Sequence, residues 1–184
     1  MNYKDYQNSR DAAWRLLIDL KVGELPIRSG AMCRALGIEV KYYTPEDAND
    51  GMSFLNDGVP TILVSSAAPV QRQRFTAAHE LGHIILGHVG RYALVNREPS
   101  AQDDPVEQEA NVFASRLLAP ACVLWGCNAR TAKEIATLCD ISLQAARFRA
   151  ERMAVLYRRD KFLTSPLERE VYRQFADYIA GHRL

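Results

Sequence analysis

The chain has 184 residues, with 23 Lys and Arg against 22 Asp and Glu and a formal net charge of +1. That balance excludes a strongly basic nucleic-acid coat and an acidic tail, and 48% hydrophobic with 24% charged residues marks a folded protein of one domain, or one domain plus a small appendage. Cys33, Cys122, Cys127 and Cys139 form no CxxC pair, the N-terminus carries no apolar signal segment, and no run reaches the roughly 18–20 apolar residues that span a bilayer. The expectation is therefore a cytoplasmic protein with reduced thiols and no membrane contact.

Asn8 to Val22 is predicted to be an amphipathic helix, with Ala12, Leu16, Leu17 and Leu20 at helical spacing and Gly23 as its stop. Ser29 is expected to cap a short helix through Leu36, ended by Gly37. Ile38 to Tyr43 reads as a strand. After the loop TPEDANDG, the β-rich runs Met52 to Asn56 and Thr61 to Ser65 flank Asp57-Gly58 and predict a hairpin. Pro69 to Leu86 reads as a long helix whose second half is apolar almost all round, which makes it the buried central helix. Gly87 to Ser100 is expected to be a loop with some strand character.

Asp103 or Asp104 is placed as the cap of a helix that starts at Pro105, runs to about Leu118 and stops near Pro120. A short helix from about Thr131 to Cys139, a turn at Asp140-Ile141 and a helix from Ser142 to about Tyr157 follow. RRDKF is a charged break, and Pro166 to Ile179 is a last amphipathic helix. Residues 1–127 hold 12 basic and 15 acidic side chains, whereas residues 128–184 hold 11 and 7, so the C-terminal third is mildly basic.

The informative segment is His79-Glu80-Leu81-Gly82-His83, an HExxH. On a helix, residues four apart share a face, so both imidazoles reach one metal ion. Glu80 is rotated about 100° from His79 and can reach a water on that ion without displacing it. A His pair and a Glu within an apolar helix are costly without such a role. An open zinc site needs a third protein ligand. His88, five residues beyond His83, does not fit the metzincin spacing, which would require Gly and His where Leu86 and Val89 stand. It is read as a loop residue or a neighbour of the ligands. Glu107 and Glu109, two apart on the next helix, face different ways, and one of them is expected to bind. Glu109 projects nearer the middle of the apolar arc formed by Val106, Ala110, Val112, Phe113, Ala114 and Leu117, which favours it.

RQRFTAAHELGHIILGH followed by EQEANVFASRLLAP resembles the ImmA/IrrE family of HExxH metallopeptidases, over roughly residues 10–160 and most strongly over 72–120. The resemblance implies an α+β, gluzincin-like fold, a small mixed or antiparallel sheet with a central HExxH helix. It implies one zinc ion held by His79, His83 and Glu109, with Glu80 as general base. It also implies a zinc metallopeptidase domain over 1–127 and a helical, helix-turn-helix-like extension over 128–184. That extension is expected to pack on the peptidase domain. The family's better-known members cleave helix-turn-helix repressors of mobile elements or of DNA-damage genes, so the resemblance implies such a repressor or antitoxin as the partner.

The expected chemistry is hydrolysis of a peptide bond, with Glu80 moving the proton. Tyr92, His88, Tyr157, Tyr172 and His182 are the candidates for a second donor to the oxyanion. The hairpin offers an edge strand to an extended substrate, or simply covers the central helix. Ile135-Ala136 and Ile141-Ser142 stand where a helix-turn-helix has its hydrophobic and capping positions, with Asp140 in place of the turn glycine. Arg147, Arg149 and Arg152 are positioned for phosphate contact, but so small a patch predicts weak DNA binding. The alternative function is a DNA-binding or repressor-binding regulator with a non-catalytic zinc site.

Overall fold

A computed structural model describes residues 2–44, 50–89 and 104–184. The chain divides into two compact units, Met1–Ala12 with Arg28–Ala114 and Ala13–Ile27 with Ser115–Leu184. Its elements are mixed α and β, as the sequence leads one to expect.

In the first unit, helix α1 (Tyr3–Asp19) begins five residues earlier than expected. Asn2 and Asp5 explain the early start. The Asp5 N–H donates to Asn2 Oδ1 at 3.0 Å and the Asn2 N–H to Asp5 Oδ2 at 3.4 Å, a reciprocal cap. Helix α2 (Ser29–Ala35) has Arg28, not Ser29, as its capping residue. The Ser29 hydroxyl is turned inward and donates to the Arg74 carbonyl at 2.9 Å. Gly37, at φ 70°, ends the helix as expected.

Three strands follow: β1 (Glu39–Tyr43), β2 (Gly51–Asn56) and β3 (Val59–Ser65), in the order β1-β3-β2. β3 is central. It runs parallel to β1, from Glu39↔Thr61 to Tyr43↔Ser65, and antiparallel to β2, from Gly51↔Val64 to Asn56↔Val59. Asp57 and Gly58 both take positive φ, 49° and 82°, the two-residue turn whose twist suits a hairpin. Pro60 is tolerated in the central strand because β1 begins its pairing one residue later, at Thr61. Helix α3 (Val70–Ile85) lies against β2, β3 and α2, and buries Thr76, Ala77, Ala78, Glu80, Leu81, Gly82 and His83. Helix α4 (Pro105–Leu118) starts where Asp104 Oδ1 accepts the Val106 N–H at 2.9 Å. The alternative cap, Asp103, and most of the Gly87–Ser100 loop lie outside the described residues.

The second unit is helical. The end of α1 stops at Lys21, in the left-handed region at φ 52°, two residues before the expected Gly23. Gln174 Nε2 then donates to the carbonyls of Leu17 and Val22, both at 2.7 Å, and satisfies that helix end from outside. A short buried helix, α5 (Ala121–Gly126), stands in a stretch with no predicted element. Helix α6 (Ala132–Cys139) opens on a capping box between Thr131 and Glu134. The backbone N–H groups of Thr131 and Arg130 hold the Glu134 carboxyl below its ordinary range. Asp140, left-handed at φ 48° and ψ 51°, turns the chain into α7 (Leu143–Arg158), capped by Ser142.

Arg149 is buried and donates through Nε to the Ala119 carbonyl at 2.8 Å. The predicted last helix is two: α8 (Pro166–Gln174) and α9 (Ala176–Gly181), separated at Phe175, which leaves helical dihedrals and is fully buried. All four cysteines are buried free thiols, and burial pushes Cys33 up to about 11 and Cys139 up to about 12. Among the described residues no helix is long and apolar enough to cross a membrane.

The closeness of α3 to the sheet is testable at Gly51. A methyl added there would lie 2.6 Å from the Leu63 carbonyl oxygen and closer still to Thr76 Cγ2. The carbonyl belongs to the ladder and cannot withdraw without breaking it. Gly51→Ala should cost about 1–3 kcal/mol, read as a fall in Tm of roughly 2–12 °C. An unchanged melting curve would show that the helix stands further from the sheet.

Candidate metal centre

His79, Glu80 and His83 come from the buried half of α3, and their ligand atoms lie within 4.8 Å of one another. The helix brings His79 Nε2 and His83 Nε2 to 3.0 Å. The other wall is α4. Gly82 makes room for it: a Cβ there would meet Phe113 Cδ1 at 2.9 Å, so the two helices approach as closely as a glycine allows.

That approach decides which acidic residue meets the histidines. Glu107 Oε2 lies 3.1 Å from His79 Nε2, and Glu107 Oε1 lies 3.4 Å from His83 Nε2. Glu109, favoured by the sequence as the third ligand, is elsewhere: its Oε2 faces His88 Nε2 at 3.3 Å. The apolar arc correctly has Glu109 facing inward, but what it meets there is a histidine outside the HExxH. Asn111 stands one turn after Glu107 and brings Oδ1 to 3.1 Å from His79 Nδ1. A Glu and an Asn four residues apart, sharing a face, are the signal that separates Glu107 from Glu109.

The proton positions follow from these partners. His79 Nδ1 donates to Asn111 Oδ1, which leaves its Nε2 as a lone pair. His83 Nδ1 lies 3.0 Å from His88 Nδ1. With that proton on His83, its Nε2 is also a lone pair. Two imidazole lone pairs and a carboxylate then converge with separations of 3.0, 3.1 and 3.4 Å, and His83 is fully buried. Three acceptors so placed repel one another unless a proton or a metal cation lies between them. A tetrahedral ion with bonds of 2.0–2.1 Å sets its ligand atoms about 3.3 Å apart. The donor set, two imidazoles and a carboxylate, is that of an open zinc site.

Glu80 is only 2% exposed, and its Oε2 accepts the Ser53 hydroxyl at 2.6 Å. Ser53 lies on β2, an edge strand, so the sheet holds this carboxylate beside the histidine pair. Nothing in the linear order of residues points to Ser53, because strand and helix meet only through the hairpin. Burial, and after it the charge of Asp5, raises the Glu109 carboxyl above its ordinary range.

Of the candidates for an oxyanion donor, His88 lies behind His83, and Tyr92 lies outside the described residues. The remaining three belong to the second unit. There Tyr157 packs on Phe162 with Arg130 over its ring, Tyr172 lies beside Trp125, and His182 stacks on Tyr178.

Residues 33–159 match the family described as the IrrE N-terminal-like domain. The chain is also similar to the radiation response metalloprotease IrrE of Deinococcus radiodurans, with 32% identity over 146 residues. That alignment takes in 73% of this chain and 44% of the relative, so the chain spans less than half the length of the curated relative it matches.

The two carboxylates make opposite predictions. Glu107→Ala should purify with little zinc, whereas Glu109→Ala should keep one ion per chain, as measured by elemental analysis of the folded proteins. The reverse pattern would return the ligand role to Glu109.

Proposed function

The chain belongs to the IrrE N-terminal-like metallopeptidase family, and on that footing we propose that it is a zinc-dependent endopeptidase with one ion per chain. The proposed ligands are His79, His83 and Glu107. Glu107 replaces Glu109 because its oxygens, at 3.1 and 3.4 Å, approach both imidazole Nε2 atoms. The observation that carries the reading is the convergence of these three acceptors from α3 and α4 beside the buried Glu80, in a chain of a peptidase family.

A zinc ion at this site supplies Lewis acidity toward a water molecule and a peptide carbonyl. Glu80 is the proposed general base. It takes the water's proton as the hydroxide attacks, and delivers it to the leaving amine nitrogen as the peptide bond breaks. Ser53 donates to one oxygen of Glu80 and so orients the carboxylate for that transfer. Asn111 keeps the proton of His79 on the far side of the ring. Among the described residues β2 is an edge of the sheet and can take an extended peptide as a further strand, close to Glu80.

The proposed substrate is a helix-turn-helix repressor or antitoxin of a mobile element or a stress response, cut at one or a few bonds. The relative's name, a radiation response metalloprotease, supports the stress reading. Residues 128–184 are proposed as a helix-turn-helix-like extension. The α6–α7 pair, turned at a left-handed Asp140, supports this. Its DNA contact is expected to be weak.

Glu80→Gln preserves shape and removes the base. Incubated with helix-turn-helix repressors from its own organism, the wild type should produce discrete fragments that a chelator abolishes. Glu80→Gln should bind zinc normally and cleave roughly 10²–10⁴-fold more slowly. Equal fragments from both proteins would identify a contaminating protease. A zinc-loaded wild type that cuts none of them would favour a regulator with a non-catalytic zinc site.

A further inference from the structure

Behind His83 lies a set of contacts that neither ligand binding nor proton transfer uses. They begin with the way α3 ends. Gly87 takes φ 73°, the Gly87 N–H donates to the Ile84 carbonyl at 3.1 Å, and the His88 N–H donates to the His83 carbonyl at 2.8 Å. This pair of bonds is the Schellman motif. It brings the residue after the left-handed glycine back against the residue five positions earlier, a contact that is ordinarily apolar. Here it sets imidazole on imidazole, with ring centroids 5.1 Å apart and planes at 65°. The spacing HxxxGH, His83 to His88, therefore encodes the contact through backbone geometry alone.

The hydrogen bonds that result have a direction. His83 Nδ1 and His88 Nδ1, 3.0 Å apart, share one proton. If His83 offers Nε2 to a metal, that proton sits on His83 Nδ1 and His88 accepts it. His88 then carries its own proton on Nε2, which faces Glu109 Oε2 at 3.3 Å. The carboxylate completes the sequence as an acceptor. In the opposite arrangement His83 Nε2 holds a proton and cannot ligate, and the His88 Nε2 lone pair points at a carboxylate oxygen. Glu109 thus biases the ligand through an intervening ring, from the helix that also carries Glu107.

We propose that His88 and Glu109 are positioning residues, a carboxylate–imidazole–imidazole relay that holds His83 in the tautomer and orientation a metal requires. This rests on the metal reading above, with Glu109 behind the ligands rather than among them. Ordinary histidine ligands hydrogen-bond directly to a carboxylate or a carbonyl. In this chain a second histidine is interposed between His83 Nδ1 and the acid that α4 supplies.

The test uses the full chain stripped of metal and titrated with Zn2+ and with Co2+ against a competing chelator. Thermal melting in chelator checks each variant's fold. His88→Leu fills the space but accepts no proton, and should weaken both metals about 10–100-fold. His88→Gln can accept from His83 through Oε1 and donate to Glu109 through Nε2, and should recover most of that loss. Glu109→Leu should fall between wild type and His88→Leu while still taking one ion at saturation.

Recovery by glutamine is the result that mere filling of the space would not produce. If His88→Leu binds as tightly as wild type, or if His88→Gln is as weak as His88→Leu, the relay is overturned while the metal reading stands. A wild type that binds neither metal overturns both.

Discussion

Three hydrogen-bond acceptors that face one another in a partly buried place set the terms for the rest of the first unit. His79 Nε2 and His83 Nε2 lie 3.0 Å apart and each faces one oxygen of the Glu107 carboxylate, at 3.1 and 3.4 Å, so that with both ring protons on the outward nitrogens none of the three can satisfy another. The surrounding structure keeps them there. Asn111 and His88 take the outward ring protons, Gly82 lets α4 approach α3, and the sheet braces the helix from the other side. Each device is modest alone. Together they hold side chains that would otherwise turn to water, as a preorganised cation site requires.

The same elements that build this site are ordinary solutions to burial. Helix α3 is interior because its second half is largely apolar apart from the HExxH residues, and a helix in that position is approached closely by its neighbours. Gly51 admits it to the sheet and Gly82 admits α4. Polar side chains inside the unit are then committed to particular partners: Ser29 to the Arg74 carbonyl, Ser53 to Glu80. In the second unit the same accounting is done at helix ends. Gln174 serves two carbonyls of α1, Arg149 serves Ala119, and Thr131, Ser142 and Ser165 cap α6, α7 and α8.

Where local reading and structure part, a long-range contact has overridden a local preference. Ser29 has a good capping side chain, but the Arg74 carbonyl 45 residues away claims its hydroxyl. Lys21 takes the left-handed conformation that Gly23 was expected to supply, while the carbonyls at that helix end find Gln174. Helix α5 is too short and too uniformly apolar for its periodicity to separate helix from strand. The last helix is continuous in its pattern but breaks at Phe175, whose side chain is fully buried.

The order of residues by itself determined the parts of this protein that depend on short spacing. Two histidines four apart on an apolar helix share a face whatever surrounds them, Asp57-Gly58 makes a two-residue hairpin, and Gly87 ends a helix so that His88 returns to His83. It also carried the resemblance to a peptidase family. Only the tertiary structure decided which carboxylate meets the histidines. Glu107 and Glu109 both sit in the first turns of α4 and both face inward. The choice depends on the rotation of one helix against another, where Phe113 seats on Gly82; within α4 only the four-residue spacing of Glu107 and Asn111 points to it. Ser53 was hidden for the same reason. A hydrogen bond between distant segments needs both backbones placed to a fraction of an ångström, and that precision comes from packing.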